Sequence, residues 1–250
     1  MTDVGALQDS YLQLMERCLL GLIWEDPPQD IWSGGAFKPA LRETGRDWPS
    51  KAHSMIGSRR MRNIRLLAED VVRRGVPGDF IETGIWRGGA CIMMRAVLKA
   101  HGVTDRRVWC ADSFEGLPDP DAASYPQDAN DQHATYEALA ISLEQVQENF
   151  SRYDLLDDQV RFLKGWFKDT LPTAPIETLA ILRLDGDMYQ STMEAFEALY
   201  DKLSPGGYCI IDDMGAVPAC RQAVADFRNK RGITDRIEQI DWTGAYWRKS

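Results

Sequence analysis

From about Ala6 to Trp24 the apolar residues Leu7, Tyr11, Leu14, Met15, Leu19, Leu22 and Ile23 recur at helical spacing, which predicts a helix. The run PPQDIWSGG interrupts it. A second helix is predicted from about Ile56 to Arg74, with Met61, Ile64, Leu67, Ala68 and Val71 along one face and Gly75 and Pro77 as stop signals. From Asp79 onward the pattern changes to short apolar runs alternating with amphipathic stretches. Strands are predicted at Phe80–Glu82, Val108–Ala111, Val160–Leu163, Leu179–Leu184 and Tyr208–Ile211. Helices are predicted at Ala90–His101, Ile141–Tyr153, Ser191–Leu203 and Pro218–Lys230. Two further strand-like pieces, Arg236–Trp242 and Ala245–Arg248, flank Thr243-Gly244 and predict a terminal antiparallel hairpin. This order implies an α/β fold: a mostly parallel seven-stranded sheet with helices on both faces and a helical N-terminal extension. The expected organisation is one domain over residues 1–250, with a helical cap at 1–78 and the sheet at 79–250.

Composition adds limits. A chain of 250 residues with 44% hydrophobic and 27% charged residues is ordinary globular material. No apolar run is long enough to cross a bilayer, and MTDVGALQDS has neither the basic nor the apolar part of a secretory signal. Cysteines at 18, 91, 110, 209 and 220 form no C-x-x-C pair, which favours a reduced, cytoplasmic setting. The net charge is −9, and it is concentrated in one place. Between Arg107 and Arg152 there is no lysine or arginine but there are nine acids, while the rest of the chain is formally balanced. An acidic chain without a basic stripe does not suit nucleic acid or an anionic membrane surface. The long irregular stretch from Phe114 to about Tyr136 lies in this acidic segment and reads either as a solvated loop or as a lid over a site.

Ligands of open α/β sheets bind beyond the carboxyl ends of the strands. Four strand ends here carry Glu82, Asp112, the pair Asp185/Asp187 and the pair Asp212/Asp213. The turn ETGIWRGGA has Gly84, Gly88 and Gly89, a G-x-x-x-G-G spacing that differs from the dinucleotide fingerprint but suits close backbone approach to a ligand at a helix N-terminus. With Asp112 placed to accept the hydroxyls of a ribose, the turn suggests an adenosine-containing cofactor. Glu82 would repel a pyrophosphate and suit an ammonium group, so S-adenosylmethionine fits better than NAD or ATP. Asp185, Asp212 and Asp213 offer the all-oxygen ligands that Mg²⁺ prefers, although the same residues also fit a helix cap and a turn. Asp187 is the candidate base for deprotonating an acceptor hydroxyl. His53, His101 and His133 lie near no other histidine, which argues against zinc.

The strings VPGDFIETGIWRGGACI, VWCADSFEGLP, GWFKDTLP, LRLDGDMYQSTMEA and LSPGGYCIIDD, with KAHSMIGSRRMRNI upstream, resemble the macrocin O-methyltransferase family from about Tyr11 to Trp247. The resemblance implies a class I, Rossmann-like methyltransferase fold. It further implies S-adenosylmethionine as donor and Mg²⁺-dependent methylation of a deoxysugar hydroxyl on a glycosylated natural product. Motif to motif, Asp185, Asp212 and Asp213 take the metal positions and Asp187 the base position. Glu82, Thr83, Gly84, Gly88 and Gly89 fall where the methionine end and sugar of the donor are held, with Asp185 beside them. Asp112 falls at the ribose, followed by Ser113. Gly165, Trp166 and Phe167 fall beside the adenine, and Met55 in the segment closing over the cofactor. The segment Gln29–Arg46 and the lid are expected to differ with substrate. Relatives suggest a homo-oligomer, dimer or tetramer. Competing readings are the same chemistry on a catechol or other phenol, a nicotinamide oxidoreductase, and a non-catalytic adenosine-binding module.

Overall fold

The computed structural model describes residues 4–250. Three helices precede the sheet: α1 (Val4–Leu19), α2 (Pro39–Thr44) and α3 (Gly57–Arg73). There follow β1 (Asp79–Thr83), α4 (Gly89–Ala100), β2 (Val108–Asp112), α5 (Leu143–Arg152), β3 (Val160–Lys164) and α6 (Phe167–Thr170). The chain then forms β4 (Leu179–Leu184), α7 (Tyr189–Leu199), β5 (Leu203–Ile211), α8 (Pro218–Arg231), β6 (Glu238–Gln239) and β7 (Ala245–Arg248).

The seven strands lie in the order β3-β2-β1-β4-β5-β7-β6. The first five are parallel, while β7 runs antiparallel to β5 and pairs with β6 as a hairpin. Strand order reverses between β1 and β4, so the crevice at their carboxyl ends is the switch point at which such sheets bind ligands. Successive side chains on a strand point to opposite faces. Phe80, Cys110, Ile181 and Ile210 therefore enter the core beneath α1, α3 and α4, and Ile81, Leu182 and Ile211 enter the core beneath α7 and α8.

Several boundaries differ from the expected ones. The first helix stops at Leu19 instead of Trp24 because Gly21 turns the chain at φ 65°. β5 begins at Leu203, the last residue of the expected helix and well before the expected start at Tyr208, and takes in Pro205, Gly206 and Gly207. The strand expected over Arg236–Trp242 contracts to Glu238–Gln239. The stretch after α1 is held by a buried ion pair. Arg42 reaches Asp47 at 2.7 Å and donates to the carbonyls of Leu20 and Asp26 at 2.6 and 2.8 Å. The Asp26 carboxylate accepts from Ser50, Lys51 and Ala52. Buried charge stays tolerable only when paired and hydrogen-bonded in this way.

Candidate active site

At the switch point the backbone of β1 meets that of β4 so closely that a Cβ on Gly84 would lie 1.9 Å from the carbonyl oxygen of Asp185. No side chain fits there, and φ at Gly84 is 82°. Glu82 and Asp185 share Arg183 Nη1, and both line a cavity of about 1060 Å³. Oxygens of Asp185, Asp212 and Asp213 all lie within 4.8 Å of one another. Asp187 follows on the same turn, in a left-handed backbone conformation at φ 56°, and its amide donates to Asp213 Oδ2 at 3.3 Å.

Two arginines reach this group. Arg183, fully buried inside β4, donates to Glu82, to Asp212 and, at 2.7 Å, to Asp185. Arg60, from α3, donates to Asp212 and is 3.2 Å from Asp241. The acids remain in excess. Burial, with repulsion from Asp212 and the other carboxylates, holds the Asp185 carboxyl well above its usual range. Asp213 is raised in the same way by burial and by Asp187, Asp185 and Asp212. Asp187 is raised by burial, with His133 pulling in the opposite direction. Asp185, Asp212 and Asp213 offer hard oxygens of the type and charge that a divalent cation such as Mg²⁺ takes, with both oxygens of Asp212 also accepting from Arg60 and Arg183.

On the other side of the cavity, Asp112 accepts the amides of Ile85 at 2.8 Å and Phe114 at 2.7 Å. It thereby fixes the glycine turn and the turn after β2. Met55, Gly84, Gly89 and Ser113 line the cavity with it, as do Trp166 and Phe167 at the start of α6. Glu82 also lines it, but its oxygens are already engaged by Arg183 and by the Cys91 thiol at 3.1 Å. Burial raises its pKa to about 6.

Thr83, Gly88 and Gly165 lie outside the lining. Thr83 is buried within the sheet, a Cβ on Gly88 would meet Val146 and Phe150, and one on Gly165 would meet Thr170. Gly89 makes room for the cap, since a Cβ there would lie 2.4 Å from the His53 carbonyl that its amide bonds at 2.9 Å.

The irregular stretch after β2 folds over this cavity with three short 3₁₀ turns. Asp128, almost wholly buried, accepts the amides of Tyr189 at 2.7 Å and Gln190 at 2.9 Å, at the start of α7. His133 Nε2 lies 3.7 Å from Asp187 Oδ1. Asp128, Asp131, His133, Arg60 and Arg183 were not expected at the site. Of these, only Arg183 had a sequence signal, as a charged residue inside an otherwise apolar strand.

The model of the macrocin O-methyltransferase family matches residues 8–249. The chain belongs to this family. Across 243 residues it is 55% identical to the 8-demethyl-8-(2,3-dimethoxy-alpha-L-rhamnosyl)-tetracenomycin-C 4'-O-methyltransferase of Streptomyces olivaceus, covering 96% of this chain and 93% of that protein. Over 244 residues it is 51% identical to the demethyldecarbamoylnovobiocin O-methyltransferase of Streptomyces niveus, at the same coverage. The solved O-methyltransferase NovP superposes with a TM-score of 0.93 at 51% identity, over 97% of this chain and 99% of that one. This macrocin-family protein therefore has the expected α/β, Rossmann-like fold of S-adenosylmethionine-dependent O-methyltransferases. Among the described residues, no helix is long and apolar enough to cross a membrane.

Proposed function

We propose that this protein methylates a hydroxyl of a deoxysugar carried on a glycosylated natural product, with S-adenosylmethionine as donor and Mg²⁺ held by Asp185, Asp212 and Asp213. The observation that carries the reading is the convergence of these carboxylates and Asp187 in the cavity that Gly84, Asp112 and Phe167 also line. A relative named for a rhamnosyl-bearing tetracenomycin acceptor supports the substrate class.

Met55, Asp112, Ser113, Trp166 and Phe167 enclose the adenosine end of the donor in this reading, and Glu82 and Gly84 lie toward its methionine end. Mg²⁺ held by Asp185, Asp212 and Asp213 would orient neighbouring acceptor hydroxyls and lower the pKa of one of them. Asp187 takes the hydroxyl proton on its carboxylate. The oxygen forms a bond to the methyl carbon while the sulfur keeps the pair from the broken S–C bond. An aliphatic hydroxyl is as weak an acid as water, so a positioned base matters more here than for a phenol. Seating the acceptor under the lid contributes by alignment. The exposed Leu7, Leu14 and Leu66 on α1 and α3 support a homo-oligomer, dimer or tetramer, and the free cysteines support a cytoplasmic setting.

The test pairs calorimetry with turnover. S-adenosylmethionine should bind and NAD should not, and methylation of glycosides should exceed that of their aglycones. Asp212→Ala should abolish metal-dependent turnover while leaving donor affinity within a few-fold. Full turnover in that variant and in EDTA would overturn the metal assignment, and NAD binding without S-adenosylmethionine binding would overturn the donor.

A further inference from the structure

The lid brings to the site an arrangement that the acids of the sheet do not supply. Asp131 accepts His133 Nδ1 at 2.7 Å on one oxygen and the His133 amide at 2.9 Å on the other. The ring is thereby fixed, with its second nitrogen turned toward Asp187 Oδ1 at 3.7 Å. Among the described residues, this is the only ion pair within 4 Å made by the Asp187 carboxylate. With Nδ1 donating to Asp131, Nε2 offers a proton to the Asp187 carboxylate when the ring is an imidazolium, the form that both flanking carboxylates favour. Asp187 itself projects from a left-handed residue whose amide is tied to Asp213. Five residues before His133, Asp128 fastens the same lid to the amides of Tyr189 and Gln190. The lid therefore grips the chain immediately after Asp187 and faces its side chain at once.

We propose that His133, oriented by Asp131, is a positioning residue that sets the Asp187 carboxylate for proton abstraction and does so only when the lid is seated. The inference rests on the reading of Asp187 as the base. It also explains why the lid has a histidine where the surrounding chain is almost entirely acidic or neutral. A lid serving only to exclude solvent has no use for an imidazole pinned by its neighbour and aimed inward.

Two measurements test it. The chain has three histidines, so their ring nitrogens are readily separated by ¹⁵N NMR in the complex with S-adenosylhomocysteine. Asp187→Asn should shift the His133 ring signals and leave those of His53 and His101 in place. An unmoved His133 would overturn the contact. In kinetics with demethyldecarbamoylnovobiocin as acceptor, His133→Ala should lower kcat about tenfold or more. Its acceptor KM and its affinity for S-adenosylhomocysteine should stay within about threefold of wild type. His133→Gln, which keeps a donor near the Nε2 position, should recover most of the loss. In an Asp187→Asn background His133→Ala should cost nothing further. Equal losses in both backgrounds, or a raised KM with kcat unchanged, would make His133 a plain lid strut and overturn the proposal. If Asp187→Asn keeps full kcat, the assignment of the base fails. If Asp187→Asn is inactive while His133→Ala is not, only the role of His133 fails. Should that acceptor not turn over, the NMR result decides.

Discussion

At the scale of single residues, several groups at this site are held in states they would not adopt in water. Asp187 pays for a left-handed backbone, a conformation that persists only where its surroundings impose it. His53 is kept neutral. Its ring nitrogen is 2.8 Å from the Tyr153 hydroxyl, and burial, with Arg152 and Arg87 nearby, pushes its pKa down to about 4. An unfolded histidine titrates near 6.5. Between these values the unfolded chain binds a proton that the native chain refuses, so the contribution of His53 to stability falls as pH drops from about 6.5 toward 4 and levels off below. The loss is on the order of 3 kcal/mol. Urea midpoints at neutral and mildly acidic pH should show a steeper decline for wild type than for His53→Gln, and parallel declines would contradict the assignment. The strand-end acids were legible in the sequence because each follows an apolar run that must be buried. His133 was not, since its partner Asp187 is 54 residues away and only the path of the lid brings the two together.

Among elements, the helices with long apolar faces were legible, and the short ones were not. α2 has six residues and α6 has four, too few for a period to show. The early start of β5 was hidden by Pro205-Gly206-Gly207, which reads as a turn yet is absorbed where the β4–β5 register shifts between Leu179 and Ile181. The lid is the most consequential element. The N-cap of α7, Met188, makes no side-chain cap hydrogen bond, and Asp128 takes over that task from 60 residues earlier in the chain. Removing a helix cap costs about 1–2 kcal/mol. Asp128→Ala should therefore lower the melting temperature and open residues 114–136 to limited proteolysis. Asp128→Asn, which keeps acceptor capacity, should do less of both. A lid equally resistant in Asp128→Ala would mean that other contacts hold it.

Across the whole molecule, three distant parts of the chain meet at one carboxylate. Arg60 from the N-terminal helices and Arg183 from the centre of the sheet both bind Asp212 at the end of β5. Arg60 also binds Asp241 in the tail. The N-terminal cap is thus joined to the site by charge as well as by apolar packing, a link visible only in three dimensions. The acidic segment seen along the sequence adds Glu115, Asp119 and Asp131 to a cavity that Asp185, Asp187 and Asp213 also line, against Arg60 and Lys168. Such a field has a direction in time. It favours a sulfonium over the spent thioether, which carries no net charge once the methyl has gone, so the product is expected to be held less tightly. Raising salt from about 50 to about 500 mM should weaken binding of the methylated donor several-fold and barely touch its demethylated product. Equal salt sensitivity for the two would show that the acids do not drive this exchange.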